Sequence, residues 1–149
     1  MDAVPVRLPL ALPYRALVDI LNKSLVLPKV NPAYYHLLAL CLSVLFLYTE
    51  TPWQKMALIG VVLVTDWLDG ATVKRHFKPS KAGYITDVVT DRASEAFIFA
   101  GAAETLAGQI FFLLWLVNSA LAFYSVRSNK HVALPLRFAY LVLLALPGM

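Results

Sequence analysis

The sequence predicts an all-α protein: a polytopic membrane helix bundle of five spanning helices, preceded by an amphipathic helix at the membrane interface. Three observations carry that expectation. Hydrophobic residues make up 60% of the 149 positions, and the mean hydropathy of +0.68 lies well above the usage of soluble domains. The excess is gathered into discrete apolar runs separated by proline, glycine and charged residues. Basic residues fall almost wholly in alternate connections, as in chains that cross a bilayer repeatedly. The length suits a single domain over residues 1–149, with the bundle proper over 32–149.

Taken in order, residues 1–13 are punctuated by Pro5, Pro9 and Pro13 and carry no signal-peptide pattern. Residues 14–25 place Tyr14, Leu17, Val18, Leu21 and Leu25 on one helical face, with Arg15, Asp19, Asn22 and Lys23 elsewhere. That pattern suits an interfacial helix, and an ordinary packing helix would share it. After Pro28, Asn31 is an expected N-cap and Pro32 an expected first helical residue. The first span then covers 32–48, short against the roughly 20 residues a crossing needs. Its ends would use Tyr34, Tyr35 and Tyr48 at the interface, and His36 is expected there too. Glu50-Thr51-Pro52 makes a turn. Further spans are expected over 53–74, 83–103, 106–124 and 132–146, with Pro79 and Gly83 bracketing the second turn and Asn118 inside the fourth span.

Charge orients the bundle. Arg7, Arg15, Lys23 and Lys29 precede the first span; Lys74, Arg75, Lys78 and Lys81 separate the second from the third; Arg127, Lys130 and Arg137 follow the fourth. All fall on one side, which the positive-inside rule makes cytoplasmic. Lys55 alone falls opposite. The net charge of +4 is too unevenly placed to indicate nucleic-acid binding. Cys41 is the single cysteine, so no intramolecular disulfide can form.

The chemistry is concentrated in residues 65–95, TDWLDGATVKRHFKPSKAGYITDVVTDRASE. Asp66 and Asp69 are spaced i, i+3, and Asp87 and Asp91 i, i+4, so each pair shares one helical face. A lone charge in an apolar helix costs at least ~2.5–3.5 kcal/mol. If the two helices are antiparallel neighbours, four carboxylates converge on one cavity and need protons or a cation between them; Mg²⁺ is a hard ion that takes oxygen ligands and completes its shell with phosphate oxygens. Lys74, Arg75, Lys78 and Lys81 beside the acids suit an anionic substrate. A structural ion-pair cluster is the plainer alternative. Arg92 and Glu95, at i, i+3, read as an intramembrane ion pair.

Asp66-x2-Asp69-Gly70 followed by Gly83-x3-Asp87-x3-Asp91 resembles the signature of the CDP-alcohol phosphotransferases, D-x2-D-G-x2-A-R then G-x3-D-x3-D. Val73 and Lys74 stand where the family has Ala-Arg. Lysine keeps the charge without the planar fork. The family has six spanning helices against the five expected here, so a short member and a trimmed sequence both stay open.

The resemblance implies transfer of a phosphoalcohol group, phosphatidyl or archaetidyl, from a CDP-linked lipid to a hydroxyl acceptor such as glycerol phosphate or inositol phosphate, with release of CMP. It implies Mg²⁺ or Mn²⁺, two ions, held by Asp66, Asp69, Asp87 and Asp91, with Asp91 also the general base. Gly70, Lys74 and Gly83 join Asp66 and Asp69 in binding the CDP moiety. Arg127, Lys130 and Arg137 would bind an acceptor phosphate or, equally, lipid headgroups; Ser80 and Lys81 would line a pocket. A homodimer is a further open expectation. Two other readings remain: a CDP-lipid-binding homologue with little turnover, and an intramembrane cation transporter.

Overall fold

Five α-helices and no strand occur among the described residues, which are 27–78, 80–128 and 134–146 of a computed structural model. The interfacial helix expected over 14–25 lies outside them. Helix α1 (Pro32–Phe46) starts as its sequence dictates. Asn31 Oδ1 accepts a hydrogen bond from Ala33 N at 3.1 Å, and Pro32 fills the first turn, where no N–H is needed. Helix α2 (Pro52–His76) again opens on a proline and closes with Lys74, Arg75 and His76, cations that suit the negative end of its dipole. His76 Nε2 also meets the Leu27 carbonyl at 2.9 Å.

Helix α3 (Lys81–Ala102) is capped by Ser80, whose Oγ accepts from Gly83 N at 3.0 Å. A three-residue connection leads into α4 (Leu106–Ser128). It is tight because residue 108 is glycine: a Cβ there would stand 1.8 Å from the Ala102 carbonyl oxygen. Thr105 Oγ1 accepts from Gly108 N at 3.0 Å and caps the new helix. Helix α5 (Leu136–Leu144) is shorter than the run expected over 132–146. Leu134 ahead of it is clamped by Asn118 in both directions: Leu134 N donates to Asn118 Oδ1 at 2.7 Å, and Asn118 Nδ2 donates to Leu134 O at 3.0 Å. The polar residue inside the fourth apolar run is thus a backbone clamp.

α1 packs against both α2 and α3, α3 against α4, and α5 against α2 and α4. Phe46, Ile59, Val62, Ile98, Phe99, Ala102 and Tyr140 form the core. Phe99 meets Tyr140 edge-on at 5.7 Å. Ser43 and Ser94 join α1 to α3 through a 2.6 Å hydroxyl pair. Leu37, Leu113, Val117 and Phe123 lie on the outer surface, each more than half exposed. α2 and α4 are long and apolar enough to cross a membrane; α1 is a shorter apolar helix.

Candidate active site

The acid pairs of α2 and α3 meet in opposite order along the two helices. A carboxylate oxygen of Asp69 and one of Asp87 lie within 4.8 Å of each other and of a His36 ring nitrogen. One turn away, Asp66 and Asp91 share a single guanidinium. Arg137 Nη1 is 2.6 Å from Asp66 Oδ2, and Arg137 Nη2 donates to Asp91 Oδ1 at 2.8 Å. The backbones of α2 and α3 hardly approach each other, although each packs on α1. The acids therefore face one another across a cleft, into which α1 sends His36 and α5 sends Arg137.

Burial decides how strongly these charges interact. Asp69 is 5% exposed, and its Oδ1 finds no hydrogen-bond donor among the described residues. Its Oδ2 stands 3.6 Å from His36 Nε2. Glu95, also buried, lies 2.6 Å through Oε2 from Arg92 Nη1 and 3.7 Å through Oε1 from Arg137 Nε. Trp115 Nε1 donates to the Arg92 carbonyl at 3.0 Å and ties α4 to this turn of α3. Arg137 is thus enclosed by Asp66, Asp91 and Glu95. Removing one partner from a buried pair leaves an uncompensated charge, which costs far more than the pair contributes.

The donor set fits a divalent cation. Five carboxylates, Asp66, Asp69, Asp87, Asp91 and Glu95, stand against the guanidiniums of Arg92 and Arg137 and one imidazole. Among the described residues the carboxylates outnumber the cations. The orphaned Oδ1 of Asp69 marks where an oxygen-seeking ion would be accepted.

Other expected residues are placed differently. Gly70 is exposed and has nothing within 4 Å of where a Cβ would lie. Lys74 is exposed on the last turn of α2. Gly83 belongs to the N-terminal turn of α3, where Ser80 caps it. Arg127 is exposed on the last turn of α4, apart from the polar contacts of the cleft, and Lys130 lies outside the described residues. Arg137, grouped with them in the sequence reading, joins the acids instead. The reason is its place on the first turn of α5, which packs on α2.

His36 was expected at the membrane interface; it meets Asp69. Its signal lay in the helical register. Ala39, Ser43 and Phe46 are the buried residues of α1, and residue 36 continues their stripe at i, i+3 and i, i+7.

Comparison with known proteins adds one positive finding. The sequence model of the CDP-alcohol phosphatidyltransferase family matches residues 31–143, which covers every helix up to the last turn of α5. No curated protein and no solved structure matches the chain.

Proposed function

The chain belongs to the CDP-alcohol phosphatidyltransferase family, and from that premise we propose that it transfers a phosphatidyl or archaetidyl group from a CDP-linked lipid to a polar hydroxyl acceptor, glycerol phosphate or inositol phosphate being the first choices, with release of CMP. The observation that supports this reading is the opposed pairing of Asp69 with Asp87 and Asp66 with Asp91 across one cleft. A structural ion-pair cluster needs matched cations; among the described residues this cleft has more carboxylates than cations.

In the proposed reaction the acceptor oxygen forms a bond to the phosphorus that carries the lipid. The bond from that phosphorus to the CMP oxygen breaks, CMP leaves with the electron pair, and the acceptor proton passes to a base. Asp66, Asp69, Asp87 and Asp91 would hold Mg²⁺ or Mn²⁺, two ions. Bound there, divalent ions neutralise the diphosphate and stabilise charge on the departing phosphate. Asp91 is the proposed base, its carboxylate oriented by the 2.8 Å hydrogen bond from Arg137. Asp66 and Asp69 flank the CDP site, Gly70 leaves room for it, and Lys74 supplies charge at the cleft's edge. Arg137 would have to exchange a carboxylate for phosphate to contact an acceptor, whereas Arg127 is exposed and needs no exchange.

We propose one integral membrane domain over residues 1–149 with its bundle over 32–149, in which α2 and α4 span and α1, α3 and α5 complete the bundle. The exposed apolar side chains of Leu113, Val117 and Phe123 suit lipid contact. The basic ends of α2 and α4 support a cytoplasmic placement of the acids. A homodimer remains part of the proposal.

A second reading has one observation in its favour: Lys74 replaces the family's arginine, so the chain would bind CDP-lipid and turn it over little. Release of CMP from a CDP-lipid in the presence of acceptor separates the two.

A further inference from the structure

We infer that His36 is a nitrogen ligand of the divalent cation, so that the cleft binds metal through His36, Asp69 and Asp87 rather than through carboxylates alone. The inference rests on the proposed metal site and goes beyond it by adding a residue from α1.

Three observations lead there. The register of α1 is fixed by the Asn31 cap and Pro32, so the packed stripe of Ala39, Ser43 and Phe46 carries residue 36 inward. His36 Nε2 stands 3.6 Å from Asp69 Oδ2, too far for a good hydrogen bond. Two atoms bound to one octahedral ion at about 2.1 Å lie about 3 Å apart when adjacent and about 4.2 Å apart when opposite. The observed gap lies midway, so a shift of about 0.6 Å would seat both atoms as adjacent ligands. The third donor, on Asp87, completes a group of ligand atoms all within 4.8 Å of one another.

The buried Asp69 supplies independent support. Its Oδ1 has no hydrogen-bond partner among the described residues although the residue is more than nine-tenths buried, and a carboxylate oxygen left so has lost water without gaining a partner. Arg137 does not meet this need, because its Nη atoms go to Asp66 and Asp91. The cleft thus divides into a pair of acids served by a guanidinium and a pair beside an imidazole. A cation coordinated by Asp69, Asp87 and His36 satisfies the second pair.

The consequence concerns metal choice. An all-oxygen site suits Mg²⁺ and Mn²⁺ alike, whereas an imidazole ligand raises affinity for first-row transition ions and does little for the harder Mg²⁺. A nitrogen ligand should therefore make Mn²⁺ bind more tightly than Mg²⁺ by more than an all-carboxylate site would.

Mn²⁺ itself is the probe. The full chain, purified in nanodiscs without substrate, is loaded with one equivalent of Mn²⁺ and examined by electron spin echo envelope modulation. The expected result is a ¹⁴N modulation, altered when the protein is labelled with ¹⁵N-histidine. It should be lost in His36→Gln and kept in His76→Gln. Mn²⁺ affinity in His36→Gln should fall at least about tenfold, the loss that even outer ligand-orienting groups produce. Should His36→Gln fail to fold, the labelled parent together with His76→Gln and His131→Gln decides the matter by elimination, since these are the three histidines of the chain. Mn²⁺ bound without histidine modulation overturns the inference, and so does a modulation lost in His76→Gln or His131→Gln. A protein that binds no Mn²⁺ overturns it too. CMP release distinguishes the cases: if it persists while the modulation is absent, only the role of His36 has failed.

Discussion

Arg137 on α5 and Asp91 on α3, 46 residues apart in sequence, are joined by a hydrogen bond of 2.8 Å. The same guanidinium lies 2.6 Å from Asp66 on α2 and 3.7 Å from Glu95. One side chain thus fastens the last helix to both acid-bearing helices and holds their carboxylates in place.

Arg137→Gln should destabilise the protein by about 3–5 kcal/mol, because it strands buried carboxylates without a cation. Thermal unfolding in detergent, followed by circular dichroism, measures the loss. Added Mn²⁺ should restore part of the melting temperature, since an ion would then screen the acids that the guanidinium served. A melting temperature equal to the parent's would show that the ion network contributes nothing to the fold.

Asp91→Asn and Asp69→Asn should fail in different ways. If Asp91 is mainly the base, its amide variant keeps metal and CDP affinity and loses ~10²–10⁴-fold in turnover. Asp69→Asn removes a ligand charge and should weaken metal and CDP binding together. Calorimetry with CDP and metal, paired with CMP release at saturating donor, gives both readouts. Equal loss of binding in the two variants would make Asp91 a ligand first.

Topology is open to labelling. Cys41 is exposed and must first be replaced by serine. Single cysteines at Lys78 and Thr51 should then react from opposite faces: Thr51 with an impermeant reagent applied to intact cells, Lys78 only after permeabilisation. The reverse pattern would turn the bundle over in the membrane.

Much of this arrangement was legible in the sequence, for reasons that are local. Asn31-Pro32 announces the start of α1, and Pro52 that of α2, because capping and proline geometry act within a few residues. The two acid pairs declare a shared face through i, i+3 and i, i+4 spacing alone. What escaped depended on how separate helices dock. The cleft between α2 and α3 arises because α1 packs on both, which no spacing within residues 65–95 reveals. Arg137 read as a ligand for an acceptor phosphate or, equally, for lipid headgroups, because nothing in the sequence tells which helix α5 packs against. The bounds of α5 were missed at their start, where Asn118 clamps Leu134 in non-helical backbone ahead of Leu136.

The most direct test of the central claim is CMP release by the purified, lipid-reconstituted protein. A CDP-linked lipid is supplied with a panel of polar acceptors, glycerol phosphate and inositol phosphate among them, and CMP and the new phosphodiester are quantified together. The expected result is equimolar formation of both with at least one acceptor, abolished by chelator, restored by Mn²⁺ or Mg²⁺, and reduced in Asp91→Asn. Tight CDP-lipid binding with no CMP from any acceptor would contradict the account, and so would turnover undiminished after every divalent ion is removed.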